Sequence, residues 1–130
     1  MEDLHDASNA ELEIMRIIWQ SGNEITVGVL LNRLCAAGKS WKSSTVVTFL
    51  SRLVEKGMLT AVKDGRNNRY AAAISEEELR ERQTHSFLKK IYDGNAKELV
   101  AALLKHEKLT KDDIVELSVF WQKEEGRDDV

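Results

Sequence analysis

The segment Ser40-Trp41-Lys42-Ser43-Ser44-Thr45-Val46-Val47-Thr48-Phe49-Leu50-Ser51-Arg52-Leu53-Val54-Glu55-Lys56-Gly57 has two chemically different faces once it is wound as a helix. Val46, Leu50 and Leu53 recur at i, i+4 and i+7, the spacing of a buried stripe. Ser44, Thr45, Thr48 and Arg52 gather on another side. That side is polar, compact and almost free of carboxylates, whereas a merely solvated face mixes Glu with Lys. Short hydroxyls and one guanidinium donate to phosphates and base edges without repelling them. Ser43 fits the cap of this helix and Gly57 its stop.

Downstream, Leu59-Thr60-Ala61-Val62-Lys63-Asp64-Gly65-Arg66-Asn67-Asn68-Arg69-Tyr70-Ala71 reads as strand, turn, strand, with an Asp-Gly pair at the bend. Asn67 and Asn68 are expected to supply turn residues, since Asn tolerates positive φ. Upstream, Ser8-Asn9-Ala10-Glu11 is a capping box opening a helix to about Ser21, where Gly22 stops it. Leu12, Met15, Ile18 and Trp19 share one side of that helix. Glu24-Ile25-Thr26 suits a brief strand, and Thr26 caps a second helix with Val27, Leu30, Leu31 and Leu34 as its stripe and Gly38 at its end. Three helices and a two- or three-stranded β wing, in this order, predict a winged helix-turn-helix domain over residues 1–74.

The charge distribution agrees. The 130 residues sum to −3, yet residues 1–74 hold nine Lys/Arg against eight Asp/Glu, and residues 75–130 hold ten against fourteen. From Lys39 to Tyr70 there are seven basic residues (Lys39, Lys42, Arg52, Lys56, Lys63, Arg66, Arg69) and two acidic ones, Glu55 and Asp64. Positive charge concentrated on one helix and one hairpin is the footprint of a nucleic-acid-binding face on an otherwise acidic protein.

The pattern changes at Ser75. Ser75-Glu76-Glu77-Glu78, Asn95-Ala96-Lys97-Glu98 and Thr110-Lys111-Asp112-Asp113 each open a helical segment, expected to reach about Asp93, His106 and Glu125. Apolar residues recur along all three: Phe87, Leu88, Ile91 and Tyr92; Leu99, Val100, Leu103 and Leu104; Ile114, Leu117, Phe120 and Trp121. Three such helices bury little alone and are more stable against a second copy. Residues 75–130 are therefore read as a helical dimerisation domain, with a frayed tail over 126–130. The fold class is mostly α.

Other chemistries find no support in the sequence. No nucleophile has a nearby base, and no Gly-rich phosphate loop is present. His5, His85 and His106 share no ligand spacing with one another or with Cys35, so no metal or cofactor is expected. Cys35, the one cysteine, follows Leu31 at i+4 and is expected to be buried as a small apolar residue. Trp19 and Trp41 are expected at the core or its edge. No apolar run suits a membrane span, and the acidic start Met1-Glu2-Asp3-Leu4-His5-Asp6 is unlike a signal peptide, so a cytoplasmic setting is expected.

With these residues in place, the chain resembles the penicillinase-repressor family of bacterial winged-helix regulators. The resemblance is carried by Ala10-Glu11-Leu12-Glu13-Ile14-Met15-Arg16-Ile17-Ile18-Trp19, Trp41-Lys42-Ser43-Ser44-Thr45-Val46 and Leu50-Ser51-Arg52-Leu53-Val54-Glu55-Lys56-Gly57-Met58-Leu59. It continues through Asp64-Gly65-Arg66, Arg69-Tyr70, Phe87-Leu88, Tyr92-Asp93-Gly94 and Leu99-Val100. It implies a homodimeric repressor on an inverted-repeat operator, with C-terminal helices interlocked between subunits. The family often has Arg or Lys where this chain has Val47. Its copper-responsive members end in a cysteine cluster that is missing here. Its antibiotic-responsive members are released by a regulatory protease at an Asn-Phe step, and the matching step here is Ala102-Leu103.

The expected DNA-binding residues are Ser44, Thr45 and Thr48 in the major groove, Ser43 at a phosphate, and Lys42 and Arg52 beside them. Arg66 and Arg69 act from the wing. The expected dimer contacts are Phe87, Leu88, Ile91, Tyr92, Leu99, Leu103, Leu104, Leu117 and Trp121. The competing reading is a winged-helix adaptor that binds protein rather than DNA.

Overall fold

A computed structural model describes residues 6–128. The acidic start with His5, and the last two residues of the tail, lie outside the described residues. Helix α1 (Asn9–Gln20) is opened by the expected capping box: Ser8 Oγ accepts from the Glu11 N–H at 3.2 Å, and Glu11 Oε1 accepts from the Ser8 N–H at 2.9 Å. Strand β1 (Glu24–Thr26) leads into α2 (Val27–Ala36), capped by Thr26. Then come α3 (Ser43–Glu55), β2 (Leu59–Asp64) and β3 (Asn67–Ala72). The three strands form one antiparallel sheet in the order β1-β3-β2, with Ile25 facing Tyr70 and Tyr70 facing Ala61. The fold is a winged helix-turn-helix followed by helices α4 (Glu76–Tyr92), α5 (Ala96–Lys105) and α6 (Lys111–Asp128).

Ile14, Met15 and Ile18 of α1 meet Leu30 and Leu34 of α2 and Val46, Leu50 and Leu53 of α3. Ile25, Leu59 and Tyr70 close this core from the sheet. Each such side chain contributes about 1.5–3 kcal/mol by leaving water. Leu79 of α4 is buried in the same core, and the Ala7 N–H donates to Gln83 Oε1 at 3.0 Å. The described residues divide into two compact units, one ending at Ser86 and the other beginning at Phe87, within α4. A start signal marks where a helix begins; burial decides which unit it joins.

Four local expectations are corrected. The residue that caps α3 is Lys42, in extended conformation (φ −70°, ψ 149°), with no side-chain cap bond, and Ser43 is the first helical residue. The hairpin bend is Gly65-Arg66, since Asp64 already faces Asn67 and Lys63 faces Asn68. Gly65 takes the positive φ (+65°) at no Cβ cost, so Asn67 and Asn68 are left to the strand. Cys35 is exposed, because it lies one residue past the buried Leu34 and so turns about 100° off the stripe. Helix α6 continues to Asp128, three residues into the stretch expected to fray.

The second unit is helical throughout. Asn95 Oδ1 accepts from the Glu98 N–H at 3.2 Å, and Thr110 and Asp113 cap each other's backbone. The rings of Phe87 and Tyr92 lie 5.9 Å apart. Among the described residues of this unit, no apolar side chain is buried.

Candidate nucleic-acid interface

Helix α3 turns its stripe of Val46, Leu50 and Leu53 inward, which leaves Ser43, Ser44, Thr45, Val47, Thr48, Ser51 and Arg52 exposed. The first intrahelical bond runs from the Val46 N–H to the Lys42 carbonyl at 3.0 Å. The N–H groups of Ser43, Ser44 and Thr45 thus precede the helical ladder, and no cap side chain takes them up. The first turn contains no acidic residue. These donors and the positive end of the helix dipole form an electropositive terminus. The Thr48 hydroxyl donates back to the Ser44 carbonyl at 2.9 Å.

Arg52 flanks this face. Its guanidinium carbon sits 5.9 Å from the centroid of Phe49, whose ring in turn lies 5.8 Å from Trp41. Trp41 and Phe49 are half-buried against the core, so they form an aromatic shelf that holds Arg52 by a cation–π contact. Trp19 is also half-buried, and its Nε1–H donates to the Ile74 carbonyl at 3.0 Å. Both tryptophans are accounted for at the edge of the core, as their sequence context suggested.

On the wing, Arg66 is at the tip and Lys63 lies close by on β2. Arg69 is placed differently. It lies on the central strand opposite Thr26 and Val62, and its Nε is 3.2 Å from Glu24 Oε1. Two more of the seven cations are engaged internally. Lys39 Nζ lies 4.0 Å from Glu13 Oε1, and Lys56 Nζ donates to Glu11 Oε1 at 2.6 Å and to the Asp6 carbonyl at 2.7 Å. Lys42, Arg52, Lys63 and Arg66 have no ion pair among the described residues. The cationic surface is therefore narrower than the sequence count suggests. The pairing partners lie on α1 and β1, far upstream of the basic segment.

Glu11 is buried. Burial by itself would raise its carboxyl pKa, but the hydrogen bond from Lys56, the Ser8 N–H, the Lys56 charge and the Ser8 hydroxyl outweigh it. The net effect holds Glu11 below its ordinary value of 4.5. This latch ties the start of α1 to the C-terminal end of α3.

Sequence reasoning left Ser51, Lys63 and Val47 out of the site. Ser51 and Lys63 carry the same signals as the chosen residues, polarity and position. Val47 is apolar, so in the sequence only the family resemblance points to it, and its exposure places it at the margin of the face.

The sequence model that describes penicillinase repressors matches residues 7–123. The chain belongs to the penicillinase repressor family. It is 32% identical over 127 residues to the penicillinase repressor of Bacillus licheniformis, across 98% of both chains. It is 30% identical over 117 residues to the methicillin resistance regulatory protein MecI of Mammaliicoccus sciuri, across 87% of this chain and 90% of that one. The solution structure of the DNA-binding domain of the repressor BlaI is 35% identical, with a TM-score of 0.49, across 55% of this chain and 84% of that chain.

In this penicillinase-repressor family member, the nine arm residues singled out from sequence are all at least partly accessible. Leu88, Tyr92 and Leu99 are half-buried, whereas Phe87, Ile91, Leu103, Leu104, Leu117 and Trp121 are exposed. Val100, Ala101 and Leu104 of α5 line an apolar depression of about 580 Å³. No helix among the described residues is long and apolar enough to cross a membrane.

Proposed function

We propose that two copies of this chain bind an inverted-repeat operator and block transcription, with α3 in the major groove and the β2–β3 wing at the phosphate backbone. The observation that carries this reading is the pairing, within one compact unit, of a hydroxyl-rich helix face with an uncapped N-terminus and a wing whose tip is the cation Arg66. Ser44, Thr45 and Thr48 enter the groove. Ser43 and its neighbouring N–H groups meet a phosphate. Lys42 and Arg52 add charge beside them, Arg66 and Lys63 contact the backbone from the wing, and Arg69 acts only if it leaves Glu24. The homodimer is formed by Phe87, Leu88, Ile91, Tyr92, Leu99, Leu103, Leu104, Leu117 and Trp121, an apolar set with no buried member in one copy. Membership in a family of repressors supports the same reading.

The test is selection of bound duplexes from a random-sequence pool, followed by titration of the enriched site at several salt concentrations. The expected site is an inverted repeat. Four available cations per subunit correspond to roughly six to eight phosphates per dimer, hence a log–log salt slope of about −5 to −7. Recovery of no enriched duplex, together with salt-independent binding, would favour a protein-binding adaptor instead.

A further inference from the structure

We propose that α3 reads A·T pairs through the C5-methyl groups of thymine, with Val47 as the specificity-determining residue and the Thr48 methyl beside it. This deepens the DNA-binding reading above and rests on it.

Val47 retains 39% of its surface on a helix face otherwise built of hydroxyls. Ser44 and Ser51, three residues before and four after, are its neighbours on that face, and both are exposed. Val47 borders the buried stripe at Leu50, three residues on, yet keeps more than a third of its surface and is not among the side chains packed on the core. A β-branched side chain in a helix has one strongly preferred χ1, so Val47 presents fixed methyls with little entropy left to lose.

Thr48 adds to this. Its single hydroxyl proton is committed to the Ser44 carbonyl, which leaves an acceptor oxygen and a methyl to face a partner. Guanine is read best by Arg or Lys, and adenine by Asn or Gln. None of these four residue types occurs from Ser43 through Ser51. Arg52 stands at the edge, above Phe49. From Ser43 to Ser51 the helix therefore offers two apolar groups and no bidentate donor, with Arg52 one turn beyond Thr48. In the major groove the feature that matches an apolar group is the thymine methyl.

The experiment uses the full chain and the duplex recovered by selection. Each thymine is replaced in turn by deoxyuridine, which removes only the C5-methyl and keeps the pairing edges. Wild type is expected to lose about three- to fivefold at one or two positions per half-site, the scale of one buried methyl. Val47→Ala should lose about as much on the thymine duplex and be indifferent to deoxyuridine at one of those positions. Val47→Thr, which keeps a methyl, should keep part of that sensitivity. An enriched site at which every deoxyuridine is silent, or at which Val47→Ala remains as methyl-sensitive as wild type everywhere, overturns the methyl reading and leaves DNA binding intact. Failure to enrich any duplex overturns both.

Discussion

Residues 6–86 and 87–128 are built from similar parts and end in different states. Both use helices opened by side-chain caps, Ser8 with Glu11 in the first and Asn95 or Thr110 in the second. Both carry apolar residues at helical spacing. In the first region those residues face one another and a sheet, and Ile14, Leu30, Val46, Leu50 and Leu53 are sealed from solvent. In the second they remain accessible, up to 67% at Trp121 and 61% at Phe120. Caps and periodicity make a helix; they do not give it something to pack against. The first region supplies its own second layer, whereas the second leaves its apolar side chains accessible, which is what the proposed dimer would cover.

The sharpest way to break this contrast is to separate the two regions. A fragment of residues 1–86 is expected to melt cooperatively by circular dichroism, while 87–130 at low concentration shows no cooperative transition. A cooperative melt of the monomeric arm would remove the contrast. Next in size is Leu103→Asp in the full chain, which places an uncompensated charge in the proposed seam and should weaken the dimer by more than ~3 kcal/mol. Sedimentation should then report monomers, with the melting of the winged-helix unit unchanged.

The Glu11–Lys56 latch sharpens the first half of the comparison. Lys56→Met leaves the Glu11 carboxylate buried without its cation and should cost about 3 kcal/mol, the low end for a broken buried pair because the Lys56 side chain keeps 19% of its surface. The pH dependence has a definite sign. The folded pKa of Glu11 is lowered, so its contribution is complete above the unfolded value, near 4.5, and is lost as pH falls through the folded value. Denaturant melts taken downward from that pH should show this loss in wild type and a smaller one in Lys56→Met. The smallest effect is expected at the wing. Arg66→Ala should weaken all duplexes alike by about 1–2 kcal/mol and reduce the salt slope by about one. A change of sequence preference in this variant would move the wing from phosphate to base contact.

Much of the winged helix was legible because its signals are local. The stripe Val46, Leu50, Leu53, the Ser8–Glu11 box and the strand at Glu24–Thr26 each depend on neighbours within a few residues. The site was less legible because its electrostatics are not local. Lys56 and Arg69 look like free cations beside Arg52 and Arg66 in sequence, yet each is held by a carboxylate 45 positions upstream. The residue type of Val47 does not by itself say whether the side chain faces core or solvent; its exposure in the fold decides that.

By itself the sequence determined the elements, their order and the family, since periodicity, caps and turn residues act over one or two turns of chain. Tertiary structure alone decided which cations remain available, which side of α3 carries Val47 outward, and that α4 belongs at its start to one unit and at its end to the other. Those outcomes depend on distances between segments remote in the chain, where burial and Coulomb energy are settled by proximity in space.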